Sequence, residues 1–235
     1  MKKTITIISC THNKHKQLNL DLIESDIVIH AGDISSVGRQ HEVHNFLKWF
    51  SGIPAKHKIF IAGNHDWLFA WSTKDQIKDI LQLYPSVTYL QDESIIIDGL
   101  KFYGSPWQPE FNNWAFNLPR NGKELEEVWN KIPLDTDILI THGPPYGILD
   151  TTGLDWNIGN LGCKKLLQRV HKVKPVIHCF GHIHGGHGTS QLHNQGIDTE
   201  FINGSVLGED YQYKNIPIVF EFDTIANKII KFIQP

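Results

Sequence analysis

Two histidines separated by a single residue, His182 and His184, follow an apolar run and a glycine. Alternate residues of an extended chain point to the same side, so this pair can bind one metal ion or two adjacent ones. Far upstream, Asn64 precedes His65 and Asp66, again after an apolar run. Imidazole nitrogens and amide oxygens are metal ligands in many proteins. The two motifs therefore predict metal-dependent chemistry.

Three further polar loops carry side chains that bind metals, each directly after an apolar run. They contain Cys10 with His12, Asp33, and His142. Together with the two motifs above, these side chains are enough for two metal ions that share one carboxylate. Two metals about 3.5–4 Å apart can hold a hydroxide between them and bind a phosphoryl oxygen, which is the arrangement used for displacement at phosphorus.

Short runs of apolar and β-branched residues precede these motifs and must position them. They cover residues 5–9, 27–30, 58–62, 137–141 and 176–180. Runs of this length are typical of strands that are buried on both faces. Patterns typical of helices lie between them, at residues 40–50, 73–83, 122–131 and 161–170. Strands that alternate with helices indicate a layered α/β fold, in which loops at the strand ends hold functional residues.

Other segments have the pattern of antiparallel strands. Residues 94–98 and 100–103 are predicted to form a hairpin with an Asp-Gly turn. Residues 217–223 and 229–233 are predicted to form a second pair, and residues 199–203 one more strand. No repeat or linker divides the sequence, so we expect a single domain over residues 1–235.

The composition excludes several classes of protein. The chain has 235 residues, 40% of them hydrophobic, which is enough for a packed core. Its formal charge of -3 gives no general attraction to membranes or nucleic acids, so we expect no stable nucleic-acid binding. The three cysteines form no regular pattern, and no apolar run reaches the length of a membrane span. We expect a cytoplasmic protein and make no prediction of its oligomeric state.

In chain order, the five loops resemble the sequence blocks of the calcineurin-like metallophosphoesterases, which run Asp-x-His, Gly-Asp, Gly-Asn-His-Asp/Glu, Gly-His and Gly-His-x-His. The resemblance covers nearly the whole chain, and residues 104–107 and 141–145 are most similar to the MPPED-type branch. It implies a four-layer αββα sandwich with two mixed β-sheets. It also implies a dinuclear centre of divalent or trivalent ions (Zn, Fe or Mn), with a bridging hydroxide as nucleophile. In the fourth block, Thr141 stands where the family has glycine.

The resemblance also implies a role for each residue. The first metal is expected to be bound by Cys10, His12, Asp33 and His184. The second metal is expected to share Asp33 and to be bound by Asn64, His142 and His182. His65 matches the family position that protonates the leaving oxygen, and Asp66 is expected to orient its imidazole. A histidine beside a carboxylate stays protonated more readily, which suits a general acid near neutral pH.

Cys10 departs from the family, which has aspartate at this position. A thiolate keeps the negative charge, and it favours zinc or iron over magnesium or manganese. We therefore hypothesise that Cys10 binds a borderline-soft metal in the first site. Two alternatives stay open: the first site is weak or empty, or Cys10 is an inert buried thiol.

The aromatic segment 107–118 and one further histidine are candidates for substrate binding. Aromatic rings near a phosphate site can stack on a nucleobase, whereas the alternative is that these rings pack onto the sheet. The candidate substrate contacts are Asn64, His65, Trp107 and His187. His193 and most of the remaining histidines are expected at the surface or in packing.

These observations predict a metal-dependent phosphoesterase that hydrolyses phosphodiesters, with small or cyclic nucleotides as the leading substrates. The loaded centre would carry a small positive charge, which suits a singly charged phosphodiester. One alternative is a nucleotide- or metal-binding protein with little turnover, because Cys10 replaces the family aspartate. Another is a phosphomonoesterase or a protein phosphatase, although the sequence contains no recognisable docking segment for protein substrates.

Overall fold

The strands and helices of the molecule follow the predicted alternation. The computed structural model describes residues 1–18, 25–152, 159–191 and 198–233, so His193 lies outside the described residues. Within these ranges the strands are β1 (Lys2–Ile8), β2 (Ile27–Ala31), β3 (His57–Ile61), β4 (Val87–Tyr89), β5 (Glu93–Ile97), β6 (Leu100–Ser105), β7 (Gln108–Pro109), β8 (Asn117–Leu118), β9 (Ile138–Thr141), β10 (Ile177–Phe180), β11 (Gly188–Gln191), β12 (Glu200–Asn203), β13 (Ile218–Asp223) and β14 (Lys228–Ile233). The α-helices are α1 (Gln40–Ser51), α2 (Trp67–Trp71), α3 (Lys74–Gln82), α4 (Lys123–Asn130) and α5 (Lys164–Val173).

Two six-stranded mixed sheets form the centre of the molecule. The first has the strand order β14-β13-β1-β2-β3-β4, in which β1 to β4 are parallel, β13 is antiparallel to β1, and β14 is antiparallel to β13. The second has the order β11-β12-β10-β9-β6-β5, with four parallel strands between two antiparallel edge strands. The predicted antiparallel pairs are confirmed as β5 with β6 and β13 with β14.

Three apolar layers hold the sheets and helices together. Helix α1 packs on the outer face of the first sheet, where the ring centroid of Phe46 lies 5.7 Å from that of Phe60. The inner faces of the two sheets pack against each other through buried isoleucines such as Ile59 and Ile140. Helices α4 and α5 cover the outer face of the second sheet beside Phe180. The predicted four-layer αββα sandwich is confirmed.

Local sequence explains why α1 forms where it does. Val43, Phe46 and Phe50 recur at helical spacing and give the helix one buried stripe. At its start, the Glu42 carboxylate accepts a hydrogen bond from the backbone N–H of Arg39 at 3.0 Å, which stabilises the first turn. A helix suited to span a membrane is absent from the described residues.

The loops that carry the predicted ligands follow the carboxyl ends of β1, β2, β3, β9 and β10. Backbone hydrogen bonds connect these loops to one another. The N–H of Gly181 donates to the carbonyl of His142 at 2.9 Å, and the N–H of Cys10 donates to the carbonyl of Gly32 at 3.0 Å. Ser9, directly after β1, donates its N–H to the carbonyl of Gly204 at 2.7 Å and so joins the two sheets. The site-bearing edges of both sheets therefore meet in one place.

Candidate metal centre

The seven predicted metal ligands lie together at this shared edge. Their ligand atoms form three groups, and within each group all atoms lie within 4.8 Å of one another. The groups are Cys10 with His12 and His184, His12 with Asp33 and His65, and Asp33 with His142 and His182. Asn64 joins the last group because its Oδ1 lies 2.9 Å from Nε2 of His142. Asp33 belongs to two groups, which is where a bridging carboxylate would lie.

The imidazole of His142 shows that the third group, Asp33 with His142 and His182, favours a cation. Its Nδ1–H donates to the carbonyl of Ala31 at 2.9 Å. The other nitrogen, Nε2, faces Asn64 Oδ1 at 2.9 Å and Asp33 Oδ2 at 3.2 Å. Three atoms that each carry lone pairs converge here, so a proton or a metal ion must lie between them. The residues therefore fit a metal.

The first group is built in the same way. The Nδ1–H of His184 donates to the carbonyl of Gly208 at 2.9 Å, which leaves its Nε2 with a lone pair. That Nε2 lies 3.3 Å from Nε2 of His12, which in turn lies 3.6 Å from Asp33 Oδ2. The Nδ1 atom of His12 is buried and has no hydrogen-bond partner among the described residues. His12 of the first group and His142 of the third group thus each present a buried nitrogen to the Asp33 carboxylate.

The electrostatics of the centre are dominated by Asp33. Burial opposes its ionisation, but the imidazoles of His142, His65 and His12 hold the pKa of Asp33 well below its usual value. Burial by itself would lower the pKa of His142. The charge of Asp33, the hydrogen bond to Asp33, and smaller contributions from Cys10 and the Ala31 carbonyl together outweigh burial and raise that pKa to about 9. Burial lowers the pKa of His182 to about 3. In the metal-free protein, therefore, a proton on His142 supplies the cation that the site favours.

Cys10 is completely buried beside the first group. Its Sγ accepts hydrogen bonds from the backbone N–H of His182 at 3.1 Å and from the hydroxyl of Ser205 at 3.5 Å, and it lies 3.3 Å from Ser9 Oγ. Burial and the charge of Asp33 raise the pKa of the Cys10 thiol. Without a metal ion, the sulfur is therefore protonated at neutral pH.

Unusual backbone conformations aim these side chains into the site. Cys10, His12, Asp33 and His182 have φ values of +54°, +41°, +57° and +66°, in the left-handed region that costs energy for residues with a side chain. At Gly63, a Cβ atom would lie 2.3 Å from Asp33 Oδ1, so only glycine allows this close approach.

His65 lies beside the centre, but its ring is not held by Asp66 as predicted. The Nδ1–H of His65 donates to the carbonyl of Ser36 at 2.6 Å. The Asp66 carboxylate instead accepts the backbone N–H groups of Gly63 at 2.8 Å, Ser35 at 3.0 Å and Ile34 at 3.2 Å. These backbone donors occupy its oxygens, so Asp66 connects the loops after β2 and β3. Burial and the charge of Asp33 raise the pKa of Asp66 to about 6.

A cavity of about 480 Å³ opens above the ligands and is lined by His65, Phe111, Trp114 and Tyr211 among others. The ring of Trp114 stacks on that of His65 with centroids 4.1 Å apart. This places Trp114, rather than the predicted Trp107, next to the site.

Two predicted substrate contacts do not line this cavity. The Nε1–H of Trp107 donates to Asp92 Oδ2 at 2.9 Å, and the ring packs between the apolar layers. The Nε2–H of His187 donates to the carbonyl of Ile216 at 3.0 Å. The structure therefore places neither side chain in the lining of this cavity, and their polar atoms are bound to neighbouring segments of the chain.

Sequence reasoning missed the residues after β12. Tyr211 lies over the first group, with its ring centroid 4.9 Å from that of His12 and 5.2 Å from that of His184. The Gly208 carbonyl orients His184, as described above. The sequence offers no motif for either residue, and the only signal is an aromatic residue in a polar loop after the last predicted ligand.

Comparisons with known proteins agree with this geometry. A model of the calcineurin-like phosphoesterase family matches residues 3–186. Metallophosphoesterase domain-containing protein 1 of Homo sapiens and that of Mus musculus are each 40% identical to the chain over 240 residues, covering 94% of this chain and 71% of theirs.

Solved structures share the fold at low sequence identity. The crystal structure of TT1561 of Thermus thermophilus has a TM-score of 0.63 at 14% identity and covers 97% of both chains. A putative 5'-nucleotidase from Staphylococcus aureus has a TM-score of 0.54 at 12% identity and covers all of this chain and 53% of its own. The family match and the two relatives at 40% identity decide the matter: the chain belongs to the calcineurin-like phosphoesterase family.

Proposed function

We propose that the protein is a metal-dependent phosphodiesterase that acts on small phosphoesters, with nucleotides as the first substrates to test. The observation that carries this proposal is the position of Asp33. Its carboxylate belongs to two separate groups of ligands, and it lines the cavity into which a substrate would enter.

We assign two metal positions to the three groups of ligand atoms, which are connected through His12 and Asp33. The first position uses Cys10, His12, Asp33 and His184, and the second uses Asp33, Asn64, His142 and His182. When bound, the ions supply positive charge that polarises a phosphoryl group and activates water for attack at phosphorus. The protein's contribution is to hold the imidazole tautomers through the carbonyls of Ala31 and Gly208.

We assign the role of general acid to His65. Because its Nδ1–H is bound to the Ser36 carbonyl, Nε2 is the nitrogen that can carry or release the mobile proton. The ring lies at the cavity wall, with its centroid 4.4 Å from that of His12 and its face against Trp114. A proton on Nε2 can therefore be delivered to a leaving oxygen beside the ligands.

The cavity walls support a planar group next to the phosphate. Phe111 and Trp114 line the cavity, and a nucleobase has the flat π-face that such rings bind. Arg120 also lines it, but its guanidinium donates to the carbonyl of Leu161 at 3.0 Å. We therefore assign phosphate binding to the metal positions rather than to this arginine.

The test is a comparison of substrates with metal-free protein reconstituted with Mn, Zn, Fe or Mg. We expect hydrolysis of bis-p-nitrophenyl phosphate to exceed that of p-nitrophenyl phosphate, and cyclic nucleotides to be hydrolysed with the same metal preference. His142→Ala should abolish turnover, because it removes a ligand of the second position. His187→Ala is the matched control and should retain it, since His187 lies outside the cavity.

Other outcomes would change the assignment. Turnover of the monoester alone would make the protein a phosphomonoesterase. Equal activity of His142→Ala and His187→Ala would exclude the proposed centre from the reaction.

A nucleotide- or metal-binding protein with little turnover is the second candidate, and the protonated, buried thiol of Cys10 favours it. This candidate predicts tight nucleotide binding, no turnover with any metal, and a gain of activity in Cys10→Asp. For either candidate we propose a cytoplasmic location, which the three free, buried cysteines support.

A further inference from the structure

The surroundings of Cys10 differ from those of the other two cysteines. Cys179 lies in the apolar layer between the sheets, and Cys163 caps the start of α5 by accepting the backbone N–H of Leu166 at 3.4 Å. Among the cysteines, all of which lie in the described ranges, only Cys10 joins a ligand group, with its sulfur within 4.8 Å of nitrogens of His12 and His184. The sulfur of Cys10 is therefore in a position to act as a metal ligand together with two buried imidazoles.

Hydrogen-bond donors also point at this sulfur. The backbone N–H of His182 and the hydroxyl of Ser205 both donate to Sγ, at 3.1 and 3.5 Å. A neutral thiol is a weak acceptor, whereas a thiolate accepts such bonds strongly, and donors of this kind tune metal-bound sulfur. Ser205 lies beyond residues 3–186, which match the family model.

The backbone leaves room for sulfur at this point. A Cβ atom on Gly181 would lie 2.0 Å from Ser9 Oγ and 2.9 Å from Cys10 Sγ. Glycine at position 181 therefore lets the loop after β10 approach the sulfur closely enough for the N–H of His182 to reach it.

We infer that Cys10 binds the first metal as a thiolate, so that the two positions differ in softness. Both positions share Asp33 and each has two imidazoles, so they differ in the sulfur of Cys10 at the first and the amide oxygen of Asn64 at the second. The first position therefore prefers zinc or ferrous iron, whereas the second also accepts manganese or magnesium. On binding, the S–H bond of Cys10 breaks, the proton leaves to solvent and a sulfur–metal bond forms, with no change of oxidation state. This inference rests on the metal positions of the proposed function and adds which metal each one takes.

The test is titration of metal-free protein with Co²⁺, followed by absorption spectroscopy. A cobalt–thiolate bond gives a charge-transfer band in the near ultraviolet, which cobalt bound to nitrogen and oxygen alone lacks. We expect the absorbance of this band to increase during addition of the first equivalent of Co²⁺. It should not increase further while the second equivalent is added. Cys10→Ser and Cys10→Asp should lack the band. Cys163→Ser is the matched control and should keep it, because serine also caps helices well.

Competition between metals gives a second measurement. Mutation of a residue that only hydrogen-bonds to a metal ligand already changes metal affinity about 10–100-fold. Replacing the sulfur ligand in Cys10→Asp should therefore lower the zinc-to-manganese affinity ratio by at least that range. Because aspartate is the family residue here, this variant remains informative even if Cys10→Ser fails to fold.

The inference is overturned if wild-type protein binds Co²⁺ without the band, if the band persists in both Cys10 variants, or if Cys10→Asp leaves the affinity ratio unchanged. Failure of the thiolate inference can be distinguished from failure of the proposed function. Phosphodiester hydrolysis without the band would reject only the thiolate, and the band without hydrolysis of any phosphoester would reject only the enzyme.

Discussion

At the scale of single residues, the ion pair between His142 and Asp33 makes a prediction about pH. The pKa of His142 is raised from its ordinary value of 6.5 to about 9 in the folded, metal-free protein. Its proton therefore stabilises the folded state fully below pH 6.5, and this stabilisation is lost as the pH rises through 9. We expect the Tm of metal-free protein to fall between pH 6.5 and 9.

The control for this prediction is the metal-loaded protein. A bound ion replaces the proton on His142, so the Tm of the loaded protein should change much less over the same range. If calorimetry shows the same fall in Tm between pH 6.5 and 9 with and without chelator, His142 is not the group responsible for the pH dependence.

Asp66 gives a second residue-scale prediction, which separates a structural role from the predicted role in orienting His65. Both carboxylate oxygens accept backbone N–H groups, from Ser35 on one side and from Ile34 and Gly63 on the other. In Asp66→Asn, an amide –NH₂ must face at least one of these donors. We expect a loss of about 1–3 kcal/mol in the free energy of unfolding, measured by denaturant titration.

The prediction would be contradicted if Asp66→Asn had normal stability and metal content but a lower kcat. That result would support the original prediction that the Asp66 carboxylate orients the His65 ring.

At the scale of elements, the loop 207–213 supports the first metal position from outside the family match. Its Gly208 carbonyl orients His184, and the ring of Tyr211 covers both His12 and His184. We expect Tyr211→Ala to release one of two bound zinc ions to a chelator about tenfold faster, since partners outside the ligand shell change metal affinity about 10–100-fold. Tyr211→Phe keeps the ring and should behave like wild type.

Phe111→Ala is the matched control for Tyr211→Ala. The Phe111 ring lies near the third group, with its centroid 6.2 Å from that of His182. If both alanine variants release zinc at the same altered rate, Tyr211 has no specific role at the first position.

The elements were largely predictable because their patterns are local. Strand-like runs and helical spacing lie within short windows, and β10, for example, differs from its predicted range by a single residue. The ligand motifs were predictable for the same reason, since each follows a strand.

Contacts between distant segments could not be predicted in this way. The partner of the His65 ring is a carbonyl 29 residues away, and Tyr211 lies nearly 200 residues from His12. Within the segment 107–118, no periodicity distinguishes Trp107 from Trp114, because the segment forms only two-residue strands. Which ring faces the cavity depends on the partner of Trp107, Asp92, in another loop.

At the scale of the whole molecule, metal binding should stabilise both sheets together. The ligands come from five loops between residues 10 and 184, which follow strands of both sheets. A ligand that binds only the folded state at 100 times its Kd stabilises it by about 2.7 kcal/mol. We therefore expect chelator to lower the Tm in a single cooperative transition.

The same calorimetry on two variants tests this expectation. Chelator should lower the Tm of His187→Ala as much as that of the wild type. It should lower the Tm of His142→Ala much less. Separate transitions for the two sheets would contradict the idea that the ions join them.

The pairing of β13 with β1 has a consequence for where this protein can be cut. β1 lies between β2 and β13, and Lys2 to Ile7 pair in register with residues of β13. A fragment that ends at residue 186, where the family match stops, would expose that flank of β1 as a bare, isoleucine-rich edge. Such edges recruit strands from neighbouring chains, so the shortened fragment would self-associate rather than stay monodisperse.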